Sequence, residues 1–173
     1  MHGKKSFQNK EYTSSMNFKR ALQPIGFVVA CEALGAIGSV FTVPSIPTWY
    51  AALEKPFLNP PNWIFGPVWT TLFALMGIAA FLVWRKGLGK QQAKAALLLF
   101  GIQLLLNVLW SVLFFGWHMP SLAFIDIAAL WIMILGTIIL FSRVSRPAAY
   151  LLLPYLAWVT FASYLNLMIW SLN

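Results

Sequence analysis

The chain has 173 residues, of which 60% are hydrophobic and only 9% charged, with a formal net charge of +8. A water-soluble domain carries about a quarter charged residues, so this composition excludes one, and apolar runs of membrane-span length make the chain a polytopic membrane protein. The single cysteine, Cys31, excludes an intrachain disulfide. No Cys/His cluster has metal-ligand spacing, His2 and His118 read as non-ligands, and no cofactor is called for.

The basic excess invites a nucleic-acid reading. Lys4-Lys5, Lys19-Arg20 and most other basic residues lie instead in the tail and short loops beside apolar spans, where orientation signals belong, so no nucleic-acid partner is expected. Residues 1–20 are polar and basic and read as a disordered cytoplasmic tail; residues 21–173 read as one transmembrane domain. The first apolar run is too long for the core of a signal peptide and has no clear cleavage site. It predicts a first helix over Ala21–Val43, with Pro24 tolerated in its first turn. Gly35 and Ser39 form a small-xxx-small pair that lets another backbone approach. Glu32 lies near mid-span, where a charge costs about 2.5–3.5 kcal/mol. Two readings of it stay open: a proton-sensitive cavity residue, or a neutral, hydrogen-bonded packing residue.

Between the first and second helices lies the stretch Trp49–Trp69, WYAALEKPFLNPPNWIFGPVW. Pro56, Pro60, Pro61 and Pro67 remove backbone donors and push the residues before them out of the helical region. Trp49, Tyr50, Trp63 and Trp69 add large rings with polar handles. The segment reads either as a lipid-interface connector or as a stiff lid over a cavity between helices.

The second helix is predicted over Ile64–Trp84, with Phe65, Trp69 and Phe73 on one face. A basic loop, Arg85–Lys94, leads to a third helix over Ala95–Trp117. That helix carries Gln103, Asn107 and Trp110 on one stripe. Amides in hydrocarbon need partners, so the stripe reads as interhelical hydrogen bonding or as a cavity face. The fourth helix, Ser121–Phe141, carries Asp126 with Leu122 one turn before it; a structural hydrogen bond and a ligand role are equal readings. The fifth helix, Ala148–Leu172, contains Pro154, where a kink is expected. On it Trp158, Ala162 and Leu165 share a stripe on which the small residue leaves room beside the tryptophan ring.

Eleven of the twelve Lys and Arg residues fall in the tail and in the second-to-third and fourth-to-fifth loops, against Lys55 alone on the other side. The N-terminus is therefore expected to be cytoplasmic and the lid to face outward. No nucleophile–base–acid set is readable. Aromatic and amide walls suit a flat apolar ring system with a few polar edges.

The pattern WYxxLxKPxxxPPxWxxGPVW at Trp49–Trp69 resembles the translocator protein / tryptophan-rich sensory protein (TSPO/MBR) family of five-helix membrane proteins, prokaryotic type. Gln103, Asn107 and Trp110, the aspartate at Asp126, and the segment Pro154–Asn166 are also family-like, so the resemblance runs from Gly38 to the C-terminus. It implies an all-α fold, five transmembrane helices in a single bundle with the aromatic, proline-rich loop as a lid. It further implies a membrane protein that binds porphyrins and other flat lipophilic aromatics as tetrapyrrole sensor, receptor or carrier. The contacts carried over by motif are Asn62, Phe65, Trp69, Gln103, Asn107, Trp110, Trp158, Ala162 and Leu165; Leu122 and Asp126 join the ligand-binding candidates. The family usually has Trp where this chain has Leu58, so an identical lid shape is not implied.

Some members are reported to degrade protoporphyrin oxidatively with light. That is the alternative, in which Trp69 and Trp158 would be catalytic. A transporter or scaffold with an unrelated substrate is a third reading. Mammalian members bind cholesterol near the end of the fifth helix through a pattern ending in a basic residue. Here Tyr164 is followed by no Lys or Arg, which argues against a sterol partner. A homodimer is expected, through Gly35/Ser39 or through Ala93, Ala95 and Ala96. With no organelle-type presequence, a prokaryotic cell membrane is the expected location.

Overall fold

The computed structural model describes residues 3–89 and 91–173, with side chains from residue 22 onward, so His2, Lys90 and the side chains of the basic tail lie outside what is described. The elements are α1 (Gly3–Ser45), α2 (Trp49–Ala52), α3 (Phe65–Trp84), α4 (Gln91–Ser111), α5 (Pro120–Val144), α6 (Arg146–Leu151) and α7 (Leu153–Leu172). A single 3₁₀ turn, Asn62–Ile64, leads into α3, and a π turn, Val112–Gly116, ends α4. The described residues contain no strand. Five segments are long and apolar enough to cross a membrane: Leu22–Ser45, Asn62–Trp84, Gln91–Gly116, Pro120–Val144 and Arg146–Leu172. The chain is a multi-pass membrane protein with an all-α, five-span bundle.

Two boundaries differ from the sequence expectation. Helix α1 begins at Gly3, so it runs through the segment expected to be a disordered tail; its membrane-capable part starts at Leu22. The fifth span is two helices rather than one kinked helix. Leu152 separates α6 from α7, its N–H bonding to Ala149 O at 3.1 Å. Pro154 then falls in the first turn of α7, where its missing N–H leaves no gap in the helical ladder.

The spans close into a ring in the order first, second, fifth, fourth, third: α1 packs on α3 and α4, α3 on α6, and α5 on α4, α6 and α7. The first span is peripheral, with 11% of its best apolar window buried against 44% for the second. Away from the lid, the core is filled by fully buried small and branched residues, including Ala79, Val83, Ala93, Ala96, Ile134 and Ala148, which let the helix backbones approach closely. The residues offered as a dimer face are mostly used inside the protomer. Gly35 lies against the ring of Phe73, and Ala93 and Ala96 are wholly buried; only Ser39 and Ala95 of that set are exposed.

Gly77 sets a close helix crossing. A Cβ there would meet Val28 Cα at 2.5 Å, so α1 and α3 touch backbone to backbone. Gly77→Ala must push these helices apart, and overpacking of this kind costs about 1–3 kcal/mol. Gly101, where a Cβ would have nothing within 4 Å, is the control: Gly101→Ala should be neutral or stabilise the helix by about 0.5–1 kcal/mol. Thermal unfolding of both variants in detergent checks the contrast; equal effects would show that the crossing is not limited by Gly77.

Candidate ligand cavity beneath the lid

The lid is folded by the groups its prolines leave behind. With no N–H at Pro56, Pro60 or Pro61, the loop closes through Asn59 N–H to Pro56 O at 2.9 Å. The Asn59 side chain then works twice: Oδ1 accepts from the Tyr50 hydroxyl at 2.7 Å, and Nδ2 donates to Pro60 O at 3.2 Å. Burial pushes the Tyr50 phenol above its ordinary pKa, so it remains a donor throughout the physiological range. Lys55 Nζ donates to Ala51 O and Leu53 O and stands 4.9 Å from the Tyr50 ring centre.

Three other elements hold the lid down. Trp49 stacks on His118 at 4.3 Å between ring centres; His118, in a left-handed conformation at φ 55°, makes the reversal between α4 and α5. Tyr50 packs on Phe114 and Phe115, both presented by the π turn. Asn173 grips the backbone of Glu54 from both sides, Oδ1 accepting from its N–H at 3.0 Å and Nδ2 donating to its O at 3.1 Å. Phe57, Leu58 and Trp63, by contrast, are exposed. Both sequence readings of the loop thus have residues to serve them: an inward face that closes over a cavity, and an outward apolar edge suited to the lipid interface.

Beneath the lid lies a cavity of about 530 Å³, within the range of drug-sized ligand sites. Its walls come from four spans. Helix α3 contributes Phe65, Trp69, Thr70 and Phe73; α4 and its π turn contribute Asn107, Trp110, Ser111 and Phe115; α7 contributes Trp158 and Ala162. Helix α1 contributes a full stripe, Glu32, Gly35, Ala36, Ser39, Thr42 and Val43, at the spacing of one helix face, and Ile46 continues it just past the helix end. Tyr50, Asn62 and Trp63 line the lid end. Phe65 meets Trp158 edge-on at 6.0 Å, and Trp69 meets Tyr155 edge-on at 6.2 Å.

Most polar atoms near the cavity are already satisfied. Asn107 Nδ2 donates to the Tyr155 hydroxyl at 3.0 Å, and that hydroxyl donates to Gln103 Oε1 at 2.9 Å. Trp110 Nε1 donates to Asn166 Oδ1 at 2.9 Å, while Asn166 Nδ2 donates to Pro120 O at 2.8 Å. Trp110 therefore offers the cavity a ring face and no donor. Trp158 differs: its Nε1 is buried with no partner among the described residues. A buried donor left unpaired is costly, and it becomes paired if a bound molecule brings an acceptor.

Of the residues singled out from the sequence, Asn62, Phe65, Trp69, Asn107, Trp110, Trp158 and Ala162 are brought together on the cavity wall. Gln103 is one turn deeper, 1% exposed, and holds Tyr155. Leu165 is buried in packing, while Leu122 is 40% exposed; Asp126 is buried with Oδ2 unpartnered. These four are absent from the wall, Leu122 and Asp126 because α5 contributes nothing to it. The sequence reading left Glu32 open as a cavity residue but missed the rest of the α1 stripe, and Tyr155. The stripe had a signal, since Glu32, Gly35, Ala36 and Ser39 stand at i, i+3, i+4 and i+7.

The sequence pattern of the TspO/MBR family matches residues 27–171. The chain is 49% identical to the tryptophan-rich protein TspO of Chlorobaculum tepidum over 143 residues, 83% of this chain and 90% of that one. It is 46% identical to the tryptophan-rich protein TspO of Archaeoglobus fulgidus, over 88% of this chain and 97% of that one. It is 39% identical to the translocator protein of Ovis aries, over 86% of this chain and 89% of that one.

The Asn173 clamp makes the lid testable. Asn173→Ala removes both bonds to Glu54; a hydrogen bond is worth about 0.5–1.5 kcal/mol net, so the Glu54 amide should exchange with deuterium roughly tenfold faster. Amides in the middle of α4 should be unaffected. Unchanged exchange at Glu54 would mean that the aromatic contacts alone hold the lid.

Proposed function

This chain belongs to the TspO/MBR family, and from that premise we propose that it is a membrane receptor, sensor or carrier for flat, lipophilic aromatic molecules of the porphyrin type, held in the cavity beneath the lid. The observation that carries this reading is the cavity itself, about 530 Å³ with Trp69, Trp110 and Trp158 on three different helices around it. Aromatic walls from several directions favour a thin polarizable ring over a bulky or flexible chain. The unpartnered Trp158 N–H favours a ligand with an acceptor on its rim. Relatives carry the names translocator protein and tryptophan-rich sensory protein.

The distribution of Lys and Arg supports a cell-membrane orientation with the N-terminus cytoplasmic and the lid outside. Because five spans are odd in number, a reporter fused after Asn173 should register as external and one before Met1 as internal. Both registering on one side would overturn this orientation.

Binding is tested by titrating purified protein with protoporphyrin and following its absorption. Trp158→Ala removes ring stacking worth about 0.5–1.5 kcal/mol as well as burial, and should weaken binding about tenfold or more. Trp158→Phe keeps a ring but no N–H and should lie between. Ala162→Leu fills space and should hurt bulky rings most. Trp84, which packs on Phe27 and Phe81 at the far end of α3, is the control: Trp84→Ala should leave affinity within about twofold. If Trp84→Ala costs as much as Trp158→Ala, with helical content intact in both, the cavity is not the binding site. Repeating the titration under illumination separates binding from light-dependent breakdown, which would appear as protein-dependent loss of the porphyrin bands.

A further inference from the structure

Glu32 stands at the foot of the cavity-facing stripe of α1. Phe73 covers Gly35, one turn above it on α1, and Trp69 is one turn further toward the lid on α3. Two helical turns put Glu32 about 10 Å below the tryptophan walls. No Lys, Arg or His lines the cavity, so Glu32 is the one charge-bearing side chain among its described lining residues. Only partly buried, it has neither a hydrogen-bond nor a charge partner among the described residues.

We propose that Glu32 is an anchor for the ligand, and that the cavity selects flat aromatic rings bearing a cationic, N–H-donating arm over the same rings bearing carboxylates. The chemistry follows from the inventory of the walls. A carboxylate pointed into a low-dielectric cavity is destabilised unless something pairs with it. An ammonium group on an arm reaching below the ring brings both the opposite charge and the donor that the carboxyl lacks. A ligand carboxylate entering the same space would meet a like charge and no cation. It can be accommodated only toward the open lid end, where water screens it. The aromatic walls choose the ring and Glu32 chooses what hangs from it.

This inference rests on reading the cavity as a ligand site, and its test separates the two. In nanodiscs of zwitterionic lipid, which remove bilayer surface charge, three porphyrins with one ring are titrated: protoporphyrin, its neutral dimethyl ester, and its bis(dimethylaminoethyl) amide, which is cationic at pH 7. Two smaller flat probes, 9-aminoacridine and acridine-9-carboxylate, are run beside them. The wild type should bind the cationic porphyrin about tenfold tighter than the ester and the ester tighter than the diacid, with the same order for the acridines. Glu32→Gln, which keeps the shape, should erase the cationic advantage and leave the ester within about twofold. Glu32→Asp, which keeps the charge on a shorter arm, should retain part of it. Porphyrins that bind with no charge order, or a Glu32→Gln effect equal on all three, would overturn the Glu32 anchor and leave the cavity reading standing. Charge order in the acridines with no porphyrin binding would support Glu32 and overturn the tetrapyrrole reading. Failure of all five probes on folded protein would overturn both.

Discussion

The cavity depends on one phenol. The Tyr155 hydroxyl, on a residue 1% exposed, receives a hydrogen bond from Asn107 and gives one to Gln103. Within a bilayer no water is present to satisfy these amides, so an unpaired one would cost more than the bond itself is worth. Two amides one turn apart on α4 thereby fix the rotation of α7. With Tyr155 turned toward α4, the residues three and seven positions on, Trp158 and Ala162, fall on the cavity wall. The same bond commits the nitrogen of Asn107 to the protein and leaves its oxygen as the atom available to a ligand. A stripe that reads as helix glue or as cavity face is both: its deep end is glue and its upper end is wall.

The second constraint is the break at Leu152. Helix α3 packs closely on α6, and α7 leaves that line after the break, so the second and fifth spans are tight at one end and apart at the other. Backbone does not fill the gap; large rings do, Phe65 against Trp158 and Trp69 against Tyr155. Cavities in close-packed proteins are costly to maintain. This one is framed by side chains already pinned elsewhere, Trp110 by Asn166 and Tyr155 by α4, so the walls cannot collapse inward without breaking buried hydrogen bonds.

Much of this was legible in the sequence, and the misses have physical causes. Span number and type follow from apolar run length, and the faces of α3 and α4 from helical spacing. Phe65, Trp69, Asn107, Trp110, Trp158 and Ala162 were found because large rings and amides in hydrocarbon are conspicuous. The α1 wall was harder to see because it is made largely of small residues, and Gly35 and Ser39 read as a helix-packing or dimer seam. Leu122 and Asp126 show the converse: both drew attention in the sequence, and neither lies on the cavity wall. An acidic residue inside a span attracts a functional reading, yet ring order puts α5 where it supplies no wall, and spacing within one helix carries no information about ring order. Tyr155 escaped because a tyrosine in an apolar span does not announce which neighbour it serves.

Lid and bundle are held by different kinds of bond, and the difference bears on where the structure can open. The bundle beneath is tied by buried side-chain hydrogen bonds and backbone-close crossings such as Gly77 on Val28. The lid is tied by exposed bonds from Asn173 to Glu54, by the Trp49–His118 stack and by a single part-buried Tyr50–Asn59 bond. Bonds open to water exchange for water at little net cost, whereas buried ones do not. Opening a lid held by exposed bonds costs less than opening the buried bonds of the bundle. Pro56, Pro60 and Pro61 stiffen the lid, since a chain with φ fixed at three positions has few ways to unravel, while Pro67 lies in the first turn of α3.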